Sequence, residues 1–267
     1  YKAIHYKTYE RNRWLMKFYF NSSETNEAIS TKDKYITLYG QNKVENSDII
    51  VPIGGDGFLL KNLHDFHELK KPFFGLNYGS VGFLMNSQSD ENLETIINNA
   101  QKTILNPLQM EATDKEKKIF NSIAYNEVSI MRQTHQAAKI NIKINDIERM
   151  NGLICDGVLV STAAGSTAYN LSAHGSIIPL DSNLLALTPI SAFRPRRWRG
   201  ALLSEKTKIN LEVTSSDIRP ASITADHNEF RNIIEAEIHS SNNNSCVILF
   251  DNKQSMEERI LKEQFYS

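Results

Sequence analysis

The sequence predicts an α/β plus all-β chain. A small open α/β N-terminal domain comes first, a β-rich, sandwich-like C-terminal domain follows, and a C-terminal helix packs back on the first domain. Three observations predict this. Strand-length apolar runs alternate with helical periodicity through residue 100, the pattern of a parallel sheet with crossover helices. After Pro107 helical periodicity nearly disappears, and short alternating or apolar segments follow one another. The tail, Met256–Phe265, is again amphipathic at helical spacing. These changes set the expected limits: an extension at 1–15, the α/β domain at 16–106, the β-rich domain at 107–255 and the closing helix at 256–267.

Taken in order, residues 1–15 are aromatic and basic without periodicity and read as an extension ahead of the compact domain. Residues 16–20 have a strand pattern and end in the turn Asn21-Ser22-Ser23. Residues 23–31 form a short helix with Ser23 as its cap. Residues 35–39 read as a strand from their β-branched and aromatic content. Ile49, Ile50, Val51 and Ile53 make a buried strand, which Pro52 deprives of one ladder N–H. Gly54-Gly55-Asp56-Gly57 is a turn, and Phe58, Leu59, Leu60, Leu63 and Phe66 carry the helix that follows. Residues 73–77 are another strand, ending in a second glycine-rich turn from Asn77 to Leu84. Ser87, Ser89 and Asp90 offer caps for a helix at 91–100. Beyond Pro107, residues 118–132, 139–148, 157–161, 208–215, 235–239 and 246–251 read as strands, and 240–245 as a polar loop.

Bulk properties narrow the function. The 267 residues suffice for one large or two small domains. A content of 40% hydrophobic and 23% charged residues is that of a soluble globular protein. A net charge of −1 argues against a general nucleic-acid binder. No apolar run approaches the ~18 residues of a membrane span, and no secretory leader pattern is visible. Cys155 and Cys246, the two cysteines, sit in apolar runs and read as buried free thiols of a reducing cytoplasm. Neither has the His/Cys spacing of a metal site, so no protein-held metal is assigned.

Two stretches carry chemistry. In the first, glycines without a Cβ let a ligand approach the turn closely, and consecutive N–H groups at a helix start favour anions. Asp56 is the one charged side chain there. It accepts a proton from a hydroxyl nucleophile, holds a metal, or caps the helix. In the second stretch, Asp156-Gly157 opens a buried strand that runs into eight small residues, 161–168. Small residues leave space that a ligand or a close-packed helix must fill. The hydroxyls of Ser161, Thr162, Ser166 and Thr167 suit ribose or phosphate contacts.

With the first stretch in hand, six segments together resemble the NAD kinase family of bacteria and eukaryotes. They are Gly54-Gly55-Asp56-Gly57, the turn from Asn77 to Leu84, Asn126-Glu127, Asp156-Gly157 with Gly165-Ser166-Thr167-Ala168-Tyr169-Asn170, Thr188-Pro189-Ile190, and Thr224-Ala225-Asp226. They stand in family order over roughly residues 16 to 265. The resemblance implies an α/β domain before a β-rich one. It also implies phosphoryl transfer from ATP to the 2′-hydroxyl of the adenosine ribose of NAD. Asp56 would then be the general base. The turn with Gly55 and Gly57 would take the triphosphate, whose oxygens Mg²⁺ or another divalent cation would bridge. Asn126 and Glu127 would hold ribose or nicotinamide-side groups, and Asp156 the nicotinamide end. Ala164 with Thr167, Ala168, Tyr169, Asn170, Leu171 and Ser172 would surround adenine and ribose, and Asp226 and His227 would contact the substrate. Family habit implies a cytoplasmic homodimer or homotetramer built through the β domain.

The sequence departs from the family pattern at Phe58, where Thr is common, at Ala163, which replaces a Pro, and at Ser191-Ala192-Phe193. Other residues have two readings each. Lys61, one turn past Asp56, reaches a phosphate or is an exposed helix lysine. His64 and His67 form a metal pair or a solvated face. Arg194, Arg196, Arg197 and Arg199 with Trp198 contact phosphate, meet an acidic partner or are a solvated loop. Tyr169 stacks on adenine or packs in the core. One of Asn126 and Glu127 must face inward, because adjacent strand residues point to opposite faces. The rival functions are a lipid kinase, which needs an apolar or membrane-facing entry, and a non-catalytic dinucleotide sensor.

Overall fold

The computed structural model describes residues 16–78, 82–253 and 255–265; the expected extension at 1–15 lies outside them. Strand β1 (Phe18–Ser22) leads into helix α1 (Asn26–Tyr39). Thr25, rather than Ser23, caps α1, its Oγ1 accepting from Ala28 N at 3.4 Å. Residues 35–39 are the last turns of α1 and not a strand. The reason is periodicity: Ala28, Tyr35 and Tyr39 fall on one face, and the two tyrosine rings pack on Phe18 and Phe20 of β1. Their β-branched and aromatic neighbours imitate strand content, and tertiary packing decides.

Strand β2 (Ile49–Gly54) is buried throughout and precedes helix α2 (Asp56–Phe66). Strand β3 is short (Leu76–Asn77), and helix α3 (Leu93–Asn98) is capped by Asn92, not by the serines ahead of it. β1, β2 and β3 form a parallel sheet in that order. Strand β4 (Gln101–Leu105) follows α3.

The second part comprises β5 (Leu108–Asp114), β6 (Ile119–Ala124), β7 (Glu127–Arg132), β8 (Ala138–Ile144), β9 (Ile147–Cys155) and β10 (Gly157–Ser161). Helix α4 (Tyr169–Ser172) interrupts the strands. After it come β11 (Leu184–Ile190), β12 (Ala201–Ser204), β13 (Ile209–Val213), β14 (Ala221–Ala225) and β15 (Asn228–Ser240). These strands form one antiparallel sheet, ordered β12-β11-β10-β7-β14-β15-β13-β8-β9, with β5 joining β15 and β6 joining β5. β15 pairs with β14 along its first half and with β13 and β5 along its second. It thereby turns the sheet through a bend at which two registers shift. The sandwich-like layering arises from one sheet curling on itself. Its inner face holds a fully buried aliphatic core that includes Val128, Ile130, Ile140, Val158, Leu211 and Ile223.

Strand β16 (Cys246–Phe250) leaves that sheet and pairs with β4. Phe73 donates its N–H to Val247 O and accepts from Leu249 N, each at 2.8 Å. The last strand thus joins the first domain, although in sequence it reads as part of the second. Helix α5 (Met256–Phe265) packs back, as expected, by burying Arg259.

Candidate functional site

Helix α2 starts at the turn after β2, with Gly55 at the cap position and no side-chain cap. Asp56 therefore does not cap its own helix. Its carboxylate reaches the second glycine turn instead. Oδ2 accepts from Phe83 N at 2.8 Å and Oδ1 from Leu84 N at 3.1 Å. Gly82 makes this approach possible: a Cβ there would lie 2.5 Å from Asp56 Oδ1. Residues 79–81 of that turn lie outside the described residues. Burial pushes the Asp56 carboxyl upward, and the two N–H groups and the Arg259 charge oppose it. Each oxygen retains a free lone-pair direction, because an ionised carboxylate offers about four acceptor sites. Phe58 folds back onto Gly54, where a Cβ would stand 2.9 Å from its own. Gly57 and Lys61 are exposed on the same helix start.

The second half of the site is assembled on Asp226, whose side chain is 0% exposed. It sits at φ +51° in the turn between β14 and β15. Its carboxylate accepts from Tyr125 N at 2.7 Å, Asn126 N at 3.0 Å and Glu127 N at 3.2 Å. His64 Nε2 donates to the same carboxylate at 2.7 Å. The His64 reading is corrected here: it is neither half of a metal pair nor a solvated face. It is the tie between α2 and the β sheet, while His67 turns its Nδ1 to the His64 carbonyl. Asp226 is thus taken up by the protein itself. His227 is exposed, with its ring edge-on to His64 at 4.8 Å.

Among the described residues Glu127 is one whose buried side-chain oxygen has no hydrogen-bond partner. It is half-buried beside Asp226, and its Oε2 makes no hydrogen bond among the described residues. Burial, then the Asp226 charge, raises its carboxyl to about 7. An orphaned acceptor of this kind fits a ligand hydroxyl.

The small-residue run lies directly over this turn. Thr162 N donates to Asn126 O at 2.9 Å, and Thr162 Oγ1 donates to Tyr125 O at 2.6 Å. A Cβ on Gly165 would stand 2.3 Å from Asn126 O. Part of the space the small residues leave is therefore filled by neighbouring backbone. Ala164 is buried, Thr167, Ala168, Tyr169 and Leu171 are half-buried, and Ser172 is exposed. Tyr169 donates its hydroxyl to Met131 Sδ at 3.4 Å. Its own ionisation is raised by burial and by the Glu127 and Asp156 charges, which places all three in one field. Asp156 forms an ion pair with Arg132 Nε. Asn170 turns inward. Its Nδ2 donates to Ser166 O and Ser176 O, and its Oδ1 accepts from Thr188 Oγ1 at 2.7 Å. It braces the loop.

Arg259 was not legible as a site residue. Its guanidinium is buried beneath the second glycine turn, where it donates to Phe83 O, Met85 O and Asn86 Oδ1. The one signal in the sequence was an arginine within an amphipathic tail. No group of three or more His, Cys, Asp or Glu side chains able to hold a metal occurs among the described residues. Nor, among them, is any helix long and apolar enough to cross a membrane.

Comparison with known proteins gives concordant results. The profile of the ATP-NAD kinase C-terminal domain matches residues 125–254. The NAD kinase of Caulobacter vibrioides is 46% identical over 257 residues, covering 96% of this chain and 99% of that one. The NAD kinase of Rickettsia canadensis is 51% identical over 239 residues, 90% of this chain and 94% of that one. Among solved structures, yeast NADH kinase complexed with NADH superposes with a TM-score of 0.81 at 19% identity, covering 95% of this chain and 89% of the other. An NAD kinase from Archaeoglobus fulgidus in complex with ATP gives 0.71 at 24% identity, covering 89% and 95%. At these identities the two structures establish the fold.

Proposed function

Because the chain belongs to the NAD kinase family, we propose how its own residues divide the work. The reaction is transfer of the γ-phosphoryl of ATP to the 2′-hydroxyl of the adenosine ribose of NAD, giving NADP and ADP. A ribose hydroxyl is a weak nucleophile at neutral pH. Asp56 accepts its proton as the new O–P bond forms and the bond to the ADP oxygen breaks. The observation that carries this is the anchoring of Asp56: both oxygens are held by backbone N–H groups at a glycine turn, with lone pairs left over. An anchored, half-buried carboxylate is preorganised, so little reorganisation is needed at the moment of reaction.

Glu127, with its unpartnered oxygen, accepts from a ribose hydroxyl of the dinucleotide, and Asn126 beside it holds the nicotinamide side. Tyr169 with Ala164, Thr167, Ala168 and Leu171 walls the adenine, and Asp156 meets the nicotinamide end. Gly55, Gly57 and Lys61 receive the triphosphate. Magnesium or another divalent cation would enter with ATP at the turn of Gly55 and Gly57 and would supply neutralisation of the charge on the transferring phosphoryl. Asp226 acts by shaping the Tyr125–Glu127 turn. We place the enzyme in the cytoplasm as a homodimer or homotetramer. The exposed Leu202 on the edge strand β12 supports a subunit contact through the β part.

The test is NADP formation from NAD, ATP and Mg²⁺, read by an NADP-specific dehydrogenase, with calorimetric NAD binding in parallel. Asp56→Asn is expected to lower kcat by about 10²–10⁴-fold while NAD still binds. Turnover preserved in that variant removes Asp56 from proton transfer. Binding without turnover in the unaltered protein favours the sensor reading.

A further inference from the structure

The Phe83–Leu84 peptide group has a charged side chain on each side. Its N–H, that of Leu84, donates to Asp56 Oδ1 at 3.1 Å. Its carbonyl, that of Phe83, accepts from Arg259 Nη1 at 3.2 Å. Arg259 comes from α5, 176 residues away in sequence. It is 3% exposed and also donates to Met85 O and to Asn86 Oδ1. Asn86 is itself fixed, its Nδ2 donating to Gly75 O at 3.1 Å and Leu249 O at 2.9 Å. A guanidinium on one end of a peptide group and a carboxylate on the other polarise it in the same sense, so each hydrogen bond strengthens the next.

We propose that the C-terminal helix is a working part of the phosphoryl-transfer centre. Arg259 is a positioning residue that, through the Phe83–Leu84 peptide group, holds the Asp56 carboxylate in place and sets its charge. The inference rests on Asp56 being the base. A buried arginine needs paired acceptors to offset its desolvation, and here those acceptors are the carbonyls of the turn that grips Asp56. The charge facing Asp56 is Arg259, which holds its carboxyl down; those facing Arg259 are Asp56 and Asp251, and Glu263, one turn further along α5, has its own carboxyl raised by burial and then by Asp56. A merely structural arginine would affect folding and leave the pH dependence of kcat in place.

The experiment is steady-state kinetics of the full chain across pH, with NAD binding by calorimetry, on Arg259→Lys, Arg259→Gln and Asp56→Asn, beside a chain ending at Lys253, which lacks α5. Arg259→Gln is expected to lower kcat by about 10–100-fold, the scale of a misplaced catalytic group. The KM values for NAD and ATP should stay within about threefold, with the acid limb of the kcat profile moving to higher pH. Arg259→Lys keeps the charge without the fork and should fall between. If the Arg259 point variants do not fold, the chain ending at Lys253 decides, and in it an unchanged kcat and an unmoved limb overturn the proposal. Folded Arg259 variants with unchanged kcat and pH profile overturn it too, provided Asp56→Asn is inactive. An active Asp56→Asn defeats the base assignment itself.

Discussion

Glu127, the residue proposed to take a ribose hydroxyl, shows at the scale of one residue what a buried carboxyl without a partner costs the fold. Its carboxyl is raised from 4.5 to about 7 by burial and by Asp226. The folded chain then binds more protons than the unfolded one between those values, and stability falls as pH rises. The contribution is fully present below about 4.5 and lost by the time pH passes about 7. Glu127→Gln removes the titration. Relative to the original chain it should gain stability from pH 5 to pH 8, on the order of 2 kcal/mol over that span. Ligand-free thermal unfolding at several pH values checks this, and parallel profiles for the two chains would refute it. The sequence showed that one of Asn126 and Glu127 must face inward, because they are neighbours on a strand. It did not show that Asp226, 99 residues on, would fix their backbone, since a single turn aspartate carries no mark of its long-range partners. Asn170 is the complementary case: it stands within the family motif, and its amide is bonded to Ser166, Ser176 and Thr188, contacts that spacing alone does not show.

Between elements, the decisive contact is the one from α2 to the turn between β14 and β15. α2 carries Asp56 at its start and His64 two turns later, so the His64–Asp226 bond fixes Asp56 relative to the Asn126-Glu127 edge. His64 also meets Tyr125 edge-on at 5.3 Å. His64→Phe keeps a ring of similar shape but leaves a buried carboxylate oxygen short of a donor. It should cost about 1–3 kcal/mol in urea unfolding, and a stability equal to the original would show that ring packing alone matters. Part of the element order was legible: β2, α2, β8, β10, β13 and β16 follow from periodicity and glycine placement, whereas β4, β5, β12 and β14 were not read as strands. The end of α1 was misjudged because Tyr35, Ile36 and Tyr39 have strand-like composition, and only their packing on Phe18 and Phe20 shows helical spacing. β11 was read only through the family segment Thr188-Pro189-Ile190 and not as a strand. Its neighbours β10 and β12 pair along Gly157–Ser161 and Ala201–Ser204, and the Pro costs one donor on one residue.

For the whole molecule, sequence order and spatial order part company at β16. Composition places Cys246–Phe250 in the second domain, whereas pairing places it in the first, between β4 and Phe73. Nothing local marks this, because an apolar strand buried on both faces reads the same in either sheet. The consequence is that the first domain is completed only after the second has been made, and the helix bearing Arg259 is delivered by the same strand. Cys246, Ile248, Leu249 and Phe250 are each at most 3% exposed. At about 1.5–3 kcal/mol for each fully buried apolar side chain, β16 contributes as much as the ~5–15 kcal/mol by which a domain is stable. A chain ending at Ser245 should therefore lose cooperative thermal unfolding of the α/β part. A chain ending at Lys253 keeps β16 and lacks only α5, so it should still melt cooperatively while losing the anchor of the Phe83–Asn86 turn. Circular dichroism melts of the two chains make the comparison. A chain ending at Ser245 that melts like the full protein would mean that the parallel sheet of β1, β2 and β3 holds together without its last strand, and that the two halves of the site are built independently.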